Sequence, residues 1–166
     1  MIYEITQSLE NDHHILEKLF KDALTTDDDQ TRVALFHAID FELLAHSEAE
    51  ESILYPRLRR EAAFRELAVH SEQEHQEIKQ MLSQLRIKGS DEPNWKEEIA
   101  VLYDRVRHHM RQEEERIFPR MREVFTEAER TDLGHAVIGA REQVRRIGVS
   151  DRIARSPAPQ TASMSR

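Results

Sequence analysis

His46-Ser47-Glu48-Ala49-Glu50-Glu51 leads through Ile53-Leu54 to Tyr55-Pro56, and His109-Met110-Arg111-Gln112-Glu113-Glu114 leads through Ile117 to Phe118-Pro119 with the same internal spacing. The offset is 63 residues at His46/His109, Glu50/Glu113 and Pro56/Pro119. Upstream segments repeat as well: His13 precedes Phe20 by seven positions and His75 precedes Leu82 by seven, at an offset of 62. A period of this length means one supersecondary unit written twice. Apolar residues recur at three- and four-residue steps almost throughout, so the unit is a helical hairpin. Its duplication predicts an all-α, up-down antiparallel four-helix bundle with approximate two-fold symmetry.

The first helix is expected from about Ile2 to Leu24, with Ile2, Ile5, Leu9, Leu16 and Phe20 inward. Asp27-Asp28-Asp29 breaks it and offers capping oxygens to a second, whose inward line is Leu35, Ile39, Leu43 and Ile53. Pro56 should end or kink that helix, as Pro119 should the fourth. The third carries Phe64, Leu67, Ile78, Leu82 and Leu85 and stops at Gly89; Ser90-Asp91-Glu92-Pro93 opens the fourth, with Trp95, Ile99, Leu102, Val106 and Ile117 inward. Thr126-Glu127-Ala128-Glu129 fits a capping box, which predicts a fifth helix over roughly Glu127 to Ile147. One domain over residues 1–149 is expected, followed by a disordered tail over 150–166.

Charged residues are 34% of the 166 and hydrophobic ones 39%, a balance that suits a single all-helical domain. The chain has no cysteine, which removes disulfides, thiol nucleophiles, Fe–S clusters and thiolate zinc sites together. A net charge of −8 argues against a general affinity for nucleic acid or anionic membranes. No apolar run approaches the ~18–20 residues of a membrane span, and the acidic start lacks the layout of a secretion signal, so a cytoplasmic location is expected. Ser47 and Ser71 lie on helices without a strand–turn–helix elbow, so hydrolase chemistry carries little weight.

The core lines pass through residues that do not belong in oil. On the second helix the line 35, 39, 43, 46, 50, 53 includes His46 and Glu50; on the fourth, 95, 99, 102, 106, 109, 113, 117 includes His109 and Glu113. His13 falls between Leu9 and Leu16, and His75 between Leu67 and Ile78. Burying a lone carboxylate costs several kcal/mol, and two unpaired ones more. A pair of divalent cations answers this: two carboxylates cancel half of the charge, and oxide or hydroxide can bridge the rest. Imidazole plus carboxylate without thiolate suits Fe, Mn, Zn or, less well, Cu. Iron is favoured because two carboxylates bridging two ions suit redox chemistry with oxygen-derived ligands.

Asp12-His13, His46-x-x-x-Glu50-Glu51…Tyr55-Pro56, Glu74-His75 and His109-x-x-x-Glu113-Glu114…Phe118-Pro119 resemble the hemerythrin-like family, the HHE cation-binding domain, over about residues 1–125. The resemblance implies a non-haem di-iron centre with His13, His46, His75 and His109 as terminal ligands and Glu50 and Glu113 as bridging carboxylates. Oxygen-carrying members place two histidines four apart on the third helix and a His-x-x-x-x-Asp on the fourth. Here Ser71 stands four before His75, and a Glu follows His109 by four. Fewer protein ligands leave open positions for O₂, NO or peroxide, which points to sensing, detoxification or redox reactivity rather than reversible carriage. His70 could replace the missing ligand only through a π-bulge. Two other roles also follow from the resemblance or the chain: iron storage, delivery or cluster repair, and a metal-stabilised interaction scaffold.

The remaining candidates have plainer readings. His14 and His108 point about 100° away from the ligand face. His37 and His135 are expected in solvent, Tyr55 and Phe118 as packing residues, and Arg141, Arg145 and Arg146 as one solvated face of the fifth helix. Glu51 and Glu114 are expected at the rim, where either can fix the tautomer of a ligand imidazole.

Overall fold

The computed structural model describes residues 4–89 and 93–155, with 148–155 as backbone only. All secondary structure among them is helical: α1 (Ile5–Thr25), α2 (Asp29–Ala49), a π-helical turn (Glu50–Leu54), α3 (Tyr55–Leu58), α4 (Arg65–Lys88), α5 (Trp95–Gln112), a second π-helical turn (Glu113–Ile117), α6 (Phe118–Val124) and α7 (Glu127–Arg155). No helix among the described residues is long and apolar enough to cross a membrane.

The boundaries follow local chemistry. The Asp28 carboxylate accepts the Thr31 N–H at 2.7 Å, so the acidic run caps α2. Gly89, at φ 86°, closes α4 with its N–H on the Leu85 carbonyl, a conformation that a Cβ would strain. Thr126 donates its N–H to Glu129 Oε2 at 2.9 Å and accepts the Glu129 N–H at 3.3 Å, which is a formed capping box. α7 continues to Arg155, past the Ile147 expected. Ile2, Ser90-Asp91-Glu92 and the tail from Ser156 lie outside the described residues.

Of the ending or kink expected at each proline, neither helix ends there and each instead carries an irregular turn just before it. Each sits at the start of an α-helical segment directly after a π-helical turn, so α2 runs on into α3 and α5 into α6. The N–H of Tyr55 bonds the carbonyl of Glu50, five residues back, and that of Phe118 bonds Glu113 in the same way. A proline has no N–H and its ring presses on the carbonyl four residues earlier; the wider turn removes both conflicts. The extra residue also moves the inward register by one position. Leu54 is therefore fully buried and Ile53 only partly, and Tyr55 faces inward five residues after Glu50. Elsewhere Phe36 and Ala68, each three residues before a buried position (Ile39 and Ser71), are buried, and their neighbours Leu35 and Leu67 only partly so.

Two apolar clusters result. One gathers Leu16, Phe20, Phe36, Ile39, Leu43, Ile78, Leu82, Trp95, Ile99 and Val106. The other gathers Ile5, Leu9, Ala49, Leu54, Phe64, Ala68, Ile117, Phe118 and Val137. α1 and α4 run from the second cluster to the first, α2 and α5 from the first to the second, so the four alternate in direction. On every one of them the polar residues of interest lie between the two clusters. α7 packs across α1 and α2, with Val137 fully buried.

Candidate metal centre

His13, His46, Glu50, His75, His109 and Glu113 are all at least 97% buried and meet in the layer between the two apolar clusters. Each helix contributes because the α-helical repeat puts a residue four or so after a core position on the core face. One ligand atom from each of His13, His46, Glu50 and Glu113 lies within 4.8 Å of the others, and a second such group joins Glu50, His75 and His109. Glu50 is common to both. The distances from imidazole Nε2 to carboxylate oxygen are 3.2 Å for His46–Glu50, 3.3 Å for His75–Glu50, 3.4 Å for His13–Glu113 and 3.6 Å for His109–Glu113. His75 Nε2 stands only 2.9 Å from His109 Nε2.

Every imidazole points Nε2 at this centre and Nδ1 at an outer acid. Nδ1 of His13 lies 2.7 Å from Glu114, that of His75 2.9 Å from Glu51, and that of His109 3.0 Å from Glu74. Nδ1 of His46 is 3.7 Å from Asp12. This second set obeys the repeat as well, since Glu51 and Glu114 are 63 apart and Asp12 and Glu74 are 62 apart. An acid on Nδ1 fixes the tautomer that leaves a lone pair on Nε2, the arrangement metal-bound imidazoles use.

The donors fit a cation. Nε2 of His13 and His46, Oε1 of Glu50 and Oε2 of Glu113 are buried without a hydrogen-bond partner. Orphaned acceptors this deep are costly unless something positive sits among them. In the metal-free protein, protons take that place. Burial pulls His13 down, but the carboxylates of Glu113 and Glu114 outweigh it and lift the imidazole to about 10. His75 is likewise pulled down by burial and lifted on balance to about 9 by Glu50 and Glu51. Burial opposes ionisation of Glu113, yet the imidazoles of His109, His13 and His46 hold it well below the usual carboxylate range.

The model of the hemerythrin HHE cation-binding domain matches residues 4–121. The chain belongs to this family. A DNA nickase of Nostoc sp. is 35% identical over 114 residues, which are 67% of this chain and 31% of that protein. An uncharacterised hemerythrin-like protein of Schizosaccharomyces pombe is 24% identical over 127 residues, 75% of this chain and 63% of the other. The chain thus spans about a third of the first relative and under two thirds of the second. The crystal structure of an HHE cation-binding domain-containing protein from Mycobacterium kansasii superposes with a TM-score of 0.80 at 24% identity, over 93% of this chain and 95% of that one.

Two residues of this HHE domain do more than the sequence pattern suggests. Tyr55 is not a packing residue alone: its hydroxyl lies 3.0 Å from Glu113, 3.3 Å from Glu50 and 3.3 Å from His75 Nε2. On α-helical spacing it would point about 140° from Glu50; the π-helical turn brings it in. Phe118, its counterpart in the repeat, stacks on His13 at a centroid distance of 5.9 Å. Arg141 is not part of a solvated face. Its side chain is 11% exposed and pairs with Asp12 and Glu42, the latter at 3.4 Å. Arg145 reaches the same Glu42 at 3.2 Å but stays exposed, as does Arg146. Arg141 lies beyond residues 4–121, so the family pattern offered no signal for it.

The other histidines stay outside the centre. His14 is exposed with Nδ1 on the Glu10 carbonyl, and His37 and His135 are exposed. His70 and His108 are about half exposed and approach Glu74 Oε1 at 3.6 Å and 3.5 Å. α4 is regular at His70, so no bulge turns it inward; the two π-helical turns lie in the neighbouring helices.

Proposed function

We propose that this HHE domain is a non-haem di-iron protein, an up-down antiparallel four-helix bundle with an added fifth helix, that binds or reacts with O₂, NO or peroxide. The observation that carries the reading is the pair of buried donor groups sharing Glu50. His13, His46 and Glu113 would hold one ion with Glu50; His75 and His109 would hold the other with Glu50. Bound in its reduced form, such a pair supplies two electrons to an oxidant.

The chain's own residues prepare for that in three ways. The outer acids on Nδ1 of His13, His75 and His109 favour the tautomer whose lone pair lies on Nε2. The Tyr55 hydroxyl offers its one proton to the inner carboxylates, with Glu113 the nearer acceptor at 3.0 Å and Glu50 the alternative at 3.3 Å. The two apolar clusters above and below exclude water, which strengthens each electrostatic contact in the layer. The second group, with three donors against four, leaves more of its ion's coordination open to an external ligand.

Metal analysis of anaerobically purified protein, with visible spectra before and after exposure to air, NO and peroxide, tests this. Two irons per chain and a new visible band on oxidation are expected. A colourless protein that takes up no iron overturns the reading.

A further inference from the structure

The seams between helices are not equal. α1 packs closely on α2 and on α5, and α4 on α5, whereas α2 and α4 meet only sparsely. A cavity of about 180 Å³ fills the gap. Its walls are Leu16, Leu43, Ile78, Leu82, Val106 and Met110, and its floor is formed by His46, His75 and His109. Glu50 and Glu113 do not line it, so the space lies beside the donor atoms rather than between the carboxylates.

Its size and lining are informative. A diatomic or hydrogen peroxide needs little more than the share of one water in the liquid, about 30 Å³. An apolar cavity of roughly 150 Å³ lined by Leu, Ile and Phe stays dry and takes up benzene. The mouth carries Lys79 and Arg86, but neither offers a free charge. Lys79 bonds Glu51 at 2.9 Å and Glu48 at 3.2 Å, and Arg86 bonds Asp40 at 2.9 Å.

We propose that this chamber is a binding site for an uncharged apolar organic molecule of about benzene's size, held against the histidine edge of the metal layer. The assignment rests on the metal reading of those histidines, which alone makes one end of the chamber reactive; the binding itself does not require any reaction. The ligand class of the site is thereby widened from diatomics and hydrogen peroxide to small apolar organic molecules.

Benzene, which is inert, is the probe, applied to the metal-loaded protein with its metal content measured in parallel. Saturation-transfer NMR should show benzene in contact with the protein. A tenfold excess over Kd should raise Tm by roughly 2–6 °C for a chain of this size. Val106→Phe fills the chamber and should abolish both signals with metal content unchanged. Leu82→Ala enlarges it and should admit indole, which the wild type refuses; this arm stands even where the filled variant fails to fold. No transfer and no Tm shift in the metal-loaded wild type, or signals that survive Val106→Phe, overturn the proposal. Loss of metal binding overturns the reading beneath it instead, and the metal analysis tells the two apart.

Discussion

Arg141 on α7 grips one oxygen of the Asp12 carboxylate on α1, and the other oxygen of that carboxylate lies 3.7 Å from Nδ1 of His46. Asp12 thus stands between the fifth helix, which it pairs with, and an imidazole of the centre, which lies beyond hydrogen-bond reach. Its repeat partner Glu74, on Nδ1 of His109, meets no lysine or arginine among the described residues and approaches the half-exposed His70 and His108. The two halves of the duplicated structure therefore differ in what steadies their outer acids.

Arg141→Met should leave Asp12 as an uncompensated buried charge. Removing one partner of a buried pair costs about 3–5 kcal/mol. Thermal unfolding should show it as a Tm lower by roughly 6–20 °C at 2–4 °C per kcal/mol. Asp12 stays opposite His46 but loses the cation that positions it, so affinity should fall by no more than about 10–100-fold, the cost of losing an outer partner itself. Chelator competition should find that loss in the group containing His46, with the His75–His109 group spared. Equal weakening of both groups would mean that α7 acts only as a prop.

Tyr55→Phe keeps the buried ring and removes the hydroxyl shared by Glu50, Glu113 and His75. A hydrogen bond to a charged group contributes about 1.5–3 kcal/mol. Metal-free protein should lose an amount of that order in denaturant unfolding. Metal-loaded protein should lose less, because the carboxylates then face cations as well. An identical loss in both forms counts against a role for this hydroxyl at the centre.

Much of this arrangement was legible from one fact, the offset of 62–63 residues, because a duplicated hairpin fixes which helices face one another. It placed His13, His46, Glu50, His75, His109 and Glu113 at one depth, and the structure brings them together. Tyr55 was missed because helical periodicity assumes 3.6 residues per turn, and the turn after Glu50 is wider; the two matched prolines were the signal. Leu54 and Ile53 exchange roles for the same reason. Arg141 was illegible in a different way. It stands outside the repeat on a helix rich in Arg, and whether one of several arginines is buried depends on the acid that another helix presents.

Metal uptake should be coupled to proton release. In the metal-free protein His13 and His75 titrate near about 10 and about 9, above the ordinary 6.5 of an unfolded chain. A raised imidazole stabilises the fold fully below its unfolded value and ceases to do so as pH climbs through its folded one. Stability of the metal-free protein should therefore fall between about pH 6.5 and pH 10. Over that window metal affinity should rise, by up to about tenfold per pH unit for each proton displaced. Calorimetry at pH 7 in buffers of different ionisation enthalpy should count about two protons released per chain on loading; uptake without proton release would show that these imidazoles are already neutral.

Lys79 ties α4 across the mouth of the cavity to Glu48 on α2 and to Glu51 on the π-helical turn that follows it. It is 28% exposed, and Glu48 more so, which places the strap in the class of surface pairs that contribute about 0–1 kcal/mol. Lys79→Met should accordingly leave Tm within a few degrees of wild type. The strap bears on access: with the cation gone, Glu48 no longer closes on α4, while Glu51 stays on Nδ1 of His75 and Arg86 stays on Asp40. Benzene association, read from NMR line broadening, should become faster in Lys79→Met while the wild-type rate should rise with added salt, since screening loosens the same pairs. Salt should then change the variant's rate much less than the wild type's. Equal salt dependence in both would place the entrance elsewhere on the molecule.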